Sequence, residues 1–462
     1  CNFMKKVCIQ GLGFVGAAMS IAVSIAKDHH QNPLFDVIGV DLPNEAGMQK
    51  IDAINTGKFP FETSDKYLLA SINKAHQQGN LSATTDPSVY SDADVVVVDV
   101  NLDISYLDDQ PLLELNDFKN SIQVIGEHIQ EGALILIETT VPPGTCEKVV
   151  IPILHSELTK RKIATNSVFV AHSFERVMPG ESYLKSITDF WRVFAGFTEQ
   201  AGDVCEIFLS SVVNVKEYPL TRLSSTLASE TAKVMENTYR AINIAFIDEW
   251  TKYAESVDID LFEVIDAIKE RPTHSNIRFP GLGVGGYCLT KDPTFTPAAS
   301  KQLFDKALDF PFSRMAVQVN HDMPLHTVAR LKSLMECQLK GKKILVCGVS
   351  YRQDVGDTRF SPSETLVLEL IAQGALVTCH DPYIRYWNEL KISMSEQLPP
   401  SADFNAIILA VPHHQYLDFD WSSWGSRDSL ILDASRVLAK EQRELARTKG
   451  IRIESIGRGN GL

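Results

Sequence analysis

Most of what this chain can fold into is fixed by an ordered set of matches between its two ends. Near the start, Lys6-Val-Cys-Ile-Gln-Gly11 is a short apolar run closed by glycine, followed by a helix-like stretch and then Asp36-Val-Ile-Gly-Val-Asp41. Near the end, Lys343-Ile-Leu-Val-Cys-Gly348, a helix-like stretch over 363–373 and Ala375-Leu-Val-Thr-Cys-His-Asp381 repeat the pattern. Ser91-Asp-Ala-Asp-Val-Val-Val-Val is matched by Ser401-Ala-Asp-Phe-Asn-Ala-Ile-Ile-Leu-Ala-Val, and Gly132-Ala-Leu-Ile-Leu-Ile-Glu-Thr by Asp428-Ser-Leu-Ile-Leu-Asp-Ala-Ser. Continuous apolar strands alternating with amphipathic helices are what a parallel sheet covered on both faces requires. The expected fold is α/β: two Rossmann-like doubly wound domains. Between them, residues 223–255 lack Pro and Gly and carry Leu227, Thr231, Val234, Met235, Ile242, Ala245, Phe246 and Trp250 at helical spacing, which predicts a long central helix joining the two. The expected division is 1–212, a dinucleotide domain; 213–325, a central helical dimerisation domain; and 326–462, a second nucleotide domain.

Composition narrows the partners. A net charge of -14 argues against nucleic acid as a ligand. The apolar stretches over 93–100 and 133–137 fall well short of the roughly 20 residues a membrane span needs, so no membrane association is expected. The opening CNFMKKVCIQGLG offers no cleavable apolar segment, so no export signal is read there. Eight cysteines without a CxxC pair argue against a disulfide framework and a zinc site; no metal is expected, and a reducing cytoplasm fits best.

Gly11-Leu-Gly13-Phe14-Val15-Gly16 is a GxGxxG turn placed after a strand and opening a helix. Its glycines allow a tight turn, close approach of a pyrophosphate and close helix packing, while the helix N-terminus favours the anion. Asp41 closes the second strand, where a carboxylate accepts hydrogen bonds from the adenosine ribose and repels a 2′-phosphate. NAD is therefore expected rather than NADP. The C-terminal copy has Gly348 but lacks the other two glycines, so a different ligand is expected there.

The segment Phe279-Pro-Gly-Leu-Gly-Val-Gly-Gly-Tyr-Cys288-Leu-Thr-Lys-Asp292 sets a cysteine behind a glycine-rich loop and an acid four residues on. Such a loop brings backbone and thiol close to a ligand, and a thiolate attacks an aldehyde readily. The other seven cysteines read as small buried hydrophobes. Lys233 and Asn237 are four apart and share one helix face. On residue type alone they would pass for a solvated lysine and a capping asparagine, and Asp292 for a helix cap.

GLGFVG, ETTVPPGT, AKVMENTYRAINIAFIDE, GLGVGGYCLTKD and GVSYRQDVGDTRFSP together resemble the UDP-glucose/GDP-mannose dehydrogenase family across nearly the whole chain. The resemblance implies a four-electron oxidation of a nucleotide-sugar C6 alcohol by two NAD in turn, through a thiohemiacetal and a thioester on Cys288. It implies that Lys233 and Asn237 hold the reacting oxygen, that Asp292 positions a proton or water, and that Glu175 and Thr140 serve the hydrolytic water. Thr140 also borders the cofactor, with Gly11, Gly13, Phe14, Val15, Gly16, Asp41 and Arg359. Arg176, Lys233, Asn237, Gly285 and Arg352 are the expected contacts to a UDP-sugar; Arg352 stands where relatives commonly have lysine.

SFERVMPG and ENTYRAINIA resemble the UDP-N-acetylhexosamine subgroup, whereas Lys291-Asp292 is typical of the UDP-glucose subgroup and Tyr287 replaces a common histidine. UDP-N-acetylglucosamine or UDP-N-acetylmannosamine is favoured, with UDP-glucose the alternative. Val98-Asp-Val-Asn-Leu-Asp replaces a Thr/Pro-rich turn, and Phe174 replaces proline. A two-electron β-hydroxyacid dehydrogenase would need neither the cysteine loop nor a second nucleotide domain. A catalytically silent nucleotide-binding regulator would not need Cys288, Lys233, Asn237 and Asp292 together. A homodimer is expected by analogy with relatives, in which an arginine near Arg271 crosses between subunits.

Overall fold

The computed structural model describes residues 4–108 and 110–462, so Cys1 lies outside the described residues. The chain divides into two compact units, Cys1–Glu236 with Thr294–Asp309, and Asn237–Pro293 with Phe310–Leu462.

The first unit is built on an eight-stranded sheet. Its parallel part runs Leu81–Thr84, Phe35–Val40, Lys5–Gln10, Val95–Val98, Leu134–Ile137, Phe169–Phe174, the strand order of a dinucleotide fold. The sheet then departs from the all-parallel expectation: Val193–Gly196 pairs antiparallel with Phe169–Phe174, and Thr221–Arg222 extends the edge. Val96, Val97 and Val98 are wholly buried because helices cover both faces, which is why this strand reads as an unbroken apolar run. Each such side chain contributes about 1.5–3 kcal/mol by leaving water. An antiparallel hairpin, Asp103–Leu107 with Gln110–Glu114, follows the fourth strand.

The second unit carries a five-stranded parallel sheet in the order Leu376–His380, Lys343–Cys347, Ala406–Leu409, Leu430–Asp433, Arg452–Ser455. This is the other common doubly wound order. Both halves are thus Rossmann-like.

The predicted central helix runs Thr226–Ser256. Through Glu236 it belongs to the first unit, and from Asn237 to the second. The second unit also holds Pro311–Leu334, a helix with Pro324 in its interior. Proline has no N–H to offer the carbonyl four residues back, so the Asn320 carbonyl is released from the helix ladder. None of the described cysteines is in a disulfide. Cys8, Cys146, Cys205, Cys347 and Cys379 are buried as expected, whereas Cys337 is exposed.

Candidate active site

In the first unit the strand order reverses between Lys5–Gln10 and Val95–Val98, and a ligand is held outside the C-terminal ends of the strands at such a point. Gly11 sits there at φ +90°, with its N–H on the Val40 carbonyl at 2.9 Å. A Cβ on Gly16 would stand 1.8 Å from the Gly11 carbonyl oxygen, so helix and turn meet without a side chain between them. A Cβ on Gly13 would meet no protein atom within 4 Å. That open side fits a pyrophosphate approaching the backbone. Phe14 and Val15 form the first turn of Phe14–Ser24, with the Phe14 ring stacked on Phe61 at 4.2 Å between centroids.

Asp41 accepts from the N–H of Leu12 at 2.9 Å and of Leu42 at 2.8 Å, which ties its carboxylate to the glycine turn. It also pairs with Lys50 at 2.9 Å, a partner that the motif alone did not reveal.

Thr140 is half-buried beyond the strand Leu134–Ile137. The turn after it is clamped by Glu230, wholly buried on the long helix, which accepts from the N–H of Gly144 at 2.6 Å and of Cys146 at 2.8 Å. Burial pushes the Glu230 carboxyl up to about 7 against the pull of those hydrogen bonds.

Glu175 follows the strand Phe169–Phe174, and its carboxylate accepts from the N–H of Val177. Lys233 donates to the Glu175 carbonyl at 2.8 Å. The Lys233 ammonium lies 5.3 Å and the Arg176 guanidinium 5.2 Å from the centroid of the Phe174 ring, so the residue that replaces proline is a platform for two cations. Arg176, read as a substrate contact, is engaged by Glu236 at 2.9 Å and by the Trp191 carbonyl at 2.7 Å. His172, wholly buried, contacts the Ser229 hydroxyl at 2.8 Å. Burial and then the Lys233 charge push its pKa down to about 3, so it is neutral.

In the second unit Cys288 is exposed and opens a one-turn helix, Cys288–Lys291. The Asn237 amide donates to the Asp292 carboxylate at 2.8 Å, and both side chains are buried; Lys233, one turn earlier on the helix, is buried too and is not the solvated lysine its type alone suggested. The loop before Cys288 is pinned at three points. Asn320 reciprocates with Val284, accepting from its N–H at 2.8 Å and donating to its carbonyl at 2.7 Å. A Cβ on Gly285 would stand 2.2 Å from the Phe360 carbonyl, so only glycine allows this approach. The Arg359 guanidinium lies over the Tyr287 ring at 5.0 Å and donates to its hydroxyl at 3.3 Å. Arg359 also grips Asp357 at 2.6 Å, and that hydrogen bond raises its already high pKa.

Gly348, at φ +101°, opens the turn at this sheet's own reversal point, between Lys343–Cys347 and Ala406–Leu409. Asp381 organises the turn: one carboxylate oxygen accepts from Val349 N–H at 2.7 Å, Ser350 N–H at 3.1 Å and the Ser350 hydroxyl at 2.9 Å, and lies 3.1 Å from His413 Nε2. Burial opposes ionisation of Asp381, yet these hydrogen bonds hold it below the usual range. Arg352 is exposed on the same turn and has no ion-pair partner among the described residues. Sequence reading missed Glu230, Asn320 and His413; only the buried geometry reveals them. Among the described residues no group of three or more His, Cys, Asp or Glu is placed to hold a metal ion.

Three consecutive pieces of the chain match the UDP-glucose/GDP-mannose dehydrogenase family: its NAD-binding domain over residues 5–208, its central domain over 227–322 and its UDP-binding domain over 345–440. The chain belongs to this family. Like other UDP-glucose/GDP-mannose dehydrogenases it is an oxidoreductase of nucleotide sugars that uses NAD. It is 32% identical to a UDP-N-acetyl-D-mannosamine dehydrogenase of Methanocaldococcus jannaschii, over 98% of this chain and 97% of that protein. Among solved structures it resembles UDP-D-ManNAc dehydrogenase of Pyrococcus horikoshii, with 25% identity, a TM-score of 0.81 and coverage of 98% and 99% of the two chains. It also resembles NDP-N-acetyl-D-galactosaminuronic acid dehydrogenase of Methanosarcina mazei, with 27% identity, a TM-score of 0.79 and coverage of 99% and 96%.

Proposed function

We propose that the chain oxidises the C6 alcohol of a UDP-N-acetylhexosamine to the uronic acid, with Cys288 as covalent nucleophile and UDP-N-acetylmannosamine as the favoured sugar. The observation that carries the chemistry is an exposed Cys288 on a loop pinned by Asn320, Gly285 and Arg359, one turn before an Asp292 that is hydrogen-bonded to Asn237. The similarity to UDP-N-acetyl-D-mannosamine dehydrogenases over the whole chain supports the sugar.

NAD, held by Gly11, Gly13, Gly16 and Asp41, supplies the hydride acceptor for each of two oxidations. Lys233 and Asn237 hold the substrate oxygen as it gains negative charge. The Cys288 thiolate adds to the C6 aldehyde and gives a thiohemiacetal. Once that is oxidised to the thioester, water adds to its carbonyl, the C–S bond breaks, and the uronic acid is released as Cys288 leaves as the thiolate, with Asp292, Glu175 and Thr140 directing the water and its proton. Arg352 and the turn at Gly348 hold the UDP diphosphate, a role suited to a guanidinium.

We further propose residues 1–212 as the cofactor domain, 213–325 as the dimerisation domain and 326–462 as the UDP domain. A homodimer through the long helix is supported by Tyr239, Phe246, Trp250 and Tyr253, which are exposed and fall on one stripe at helical spacing. No described helix is long and apolar enough to cross a membrane. Seven cysteines without a disulfide support a reducing cytoplasm.

The test is to count NADH formed per sugar with limiting UDP-N-acetylmannosamine, UDP-N-acetylglucosamine or UDP-glucose, beside Cys288→Ala. A ratio of about two that is lost in the variant is expected. A ratio of about one that is indifferent to Cys288 would overturn the thioester route in favour of a two-electron dehydrogenase.

A further inference from the structure

Three ionisable side chains are enclosed at the strand ends of the first unit. Asp99 follows the strand Val95–Val98, Glu138 follows the neighbouring strand Leu134–Ile137, and Val98 is in register with Ile137, so the two acids lie side by side. Arg192 enters from the start of the antiparallel strand Val193–Gly196 and donates to Glu138 Oε1 at 2.5 Å. Relative exposures are 7% for Asp99, 0% for Glu138 and 2% for Arg192. Neither Asp99 oxygen, nor Glu138 Oε2, nor Arg192 Nη1 has a hydrogen-bond partner among the described residues.

One cation cannot balance two enclosed carboxylates. If both were ionised, Asp99 would be a buried charge with no donor, the arrangement that enclosed sites do not tolerate. With one proton retained, Asp99 becomes a donor within reach of Glu138, Glu138 stays paired with Arg192, and the group is neutral. Glu175 also faces Asp99, and the Cys205 thiol faces Glu138 and Arg192. Burial, then the Glu138 charge, then the Glu175 charge hold Asp99 well above the usual carboxylate range, and burial keeps Cys205 protonated.

The group borders the dinucleotide crevice. A Cβ on Gly11 would stand 2.7 Å from the Asp99 carbonyl oxygen, and one on Gly16 would stand 3.2 Å from the Asp99 Cβ. Asp41, on the ribose side, follows the strand on the opposite flank of Lys5–Gln10. A dinucleotide lying across the reversal point with its adenosine at Asp41 therefore has its nicotinamide half on the Asp99 side.

We propose that Asp99 and Glu138 hold one proton between them, and that this proton keeps the nicotinamide side of the crevice neutral and so sets the relative affinity for oxidised and reduced NAD. The oxidised ring is cationic and the reduced ring is not. Loss of the shared proton leaves a negative charge that tightens the oxidised form alone and opposes hydride uptake. The proton is present below the pair's pKa and is lost as pH rises through it, so the preference for the oxidised form grows on the alkaline side.

The inference rests on NAD occupying this crevice, and the experiment separates the two. Dissociation constants for NAD and NADH are measured by titration calorimetry on the full chain from about pH 6 to about pH 10 in two buffers of different ionisation enthalpy. For the unmutated protein the NADH-to-NAD ratio of dissociation constants is expected to rise on the order of tenfold across the range, with more protons released on binding NAD than NADH. Asp99→Asn, which keeps a neutral donor beside Glu138, should hold the low-pH ratio throughout. A flat ratio with equal proton release in the unmutated protein overturns the proposal whether or not the variant folds, as does an Asn variant that follows the unmutated curve. If neither form binds at any pH, the NAD assignment falls, and this inference with it.

Discussion

The Glu230 clamp gives the sharpest link between buried charge and stability. Glu230 is wholly buried, its two carboxylate oxygens accept from the N–H groups of Gly144 and Cys146, and burial lifts its pKa from 4.5 to about 7. The folded state therefore binds more protons than the unfolded chain between those values. Stability due to this group is complete below the unfolded pKa, falls as pH rises, and is level above the folded pKa. The rise from 4.5 to about 7, at about 1.36 kcal/mol per pH unit, makes the loss about 3 kcal/mol. Glu230→Gln removes the titration. It also turns an amide NH₂ toward one of the two backbone donors, at a cost of about 1–3 kcal/mol. In denaturant titrations the Gln variant should be the weaker protein at about pH 4.5, with the gap falling by about 3 kcal/mol toward pH 7, so that the variant equals or exceeds the unmutated protein there, and constant beyond. A gap that is flat across this window would refute the claim that burial dominates. A gap that widens would show that the two hydrogen bonds outweigh desolvation.

Two substitutions in the glycine turn separate fold from cofactor. Gly16→Ala forces a Cβ to within 1.8 Å of the Gly11 carbonyl and should lower the melting temperature as well as abolish NAD binding, whereas Gly13→Ala meets no protein atom within 4 Å and should leave melting unchanged while weakening NAD binding. Calorimetry on both variants checks this; Gly13→Ala binding NAD normally would remove the pyrophosphate from that side of the turn. Asn320→Ala loses both hydrogen bonds to Val284 in the second unit, and should lower turnover about tenfold, as expected when a reacting group is misplaced, with NAD affinity unchanged. Equal turnover would show that Gly285 and Arg359 suffice to seat the Cys288 loop.

Both sheets were legible because their strands are buried on two faces. Val95–Val98, Leu134–Ile137, Lys343–Cys347 and Ala406–Leu409 are continuous apolar runs, and glycine closes Lys5–Gln10 and Lys343–Cys347 where the chain must turn at the C-terminal ends of the strands. The long helix was legible for the complementary reason: over 223–255 no residue interrupts it. Val193–Gly196 was not legible, since its four residues carry no periodicity and its direction is set by pairing with Phe169–Phe174. Pro311–Leu334 was hidden by Pro324, which reads as a helix stop although buried packing around it keeps the helix continuous.

The site divides along the same physical line. Gly11, Gly16 and Cys288 declare themselves because their chemistry depends on local backbone, which short spacings encode; the Lys233–Asn237 spacing shows a shared helix face, and the resemblance to the family supplied its role. Asp99, Glu138 and Arg192 do not, because each acquires its meaning from the other two. Asp99 beside an apolar strand reads as a surface turn until the register of Val98 with Ile137 puts Glu138 against it. Glu138 reads as a strand-end acid until an antiparallel strand delivers Arg192 to it at 2.5 Å. Charge balance in a closed space is a property of the assembled sheet: the same three residues, separated by one change of register, would be solvated and individually unremarkable, and together they leave one acid that must keep its proton.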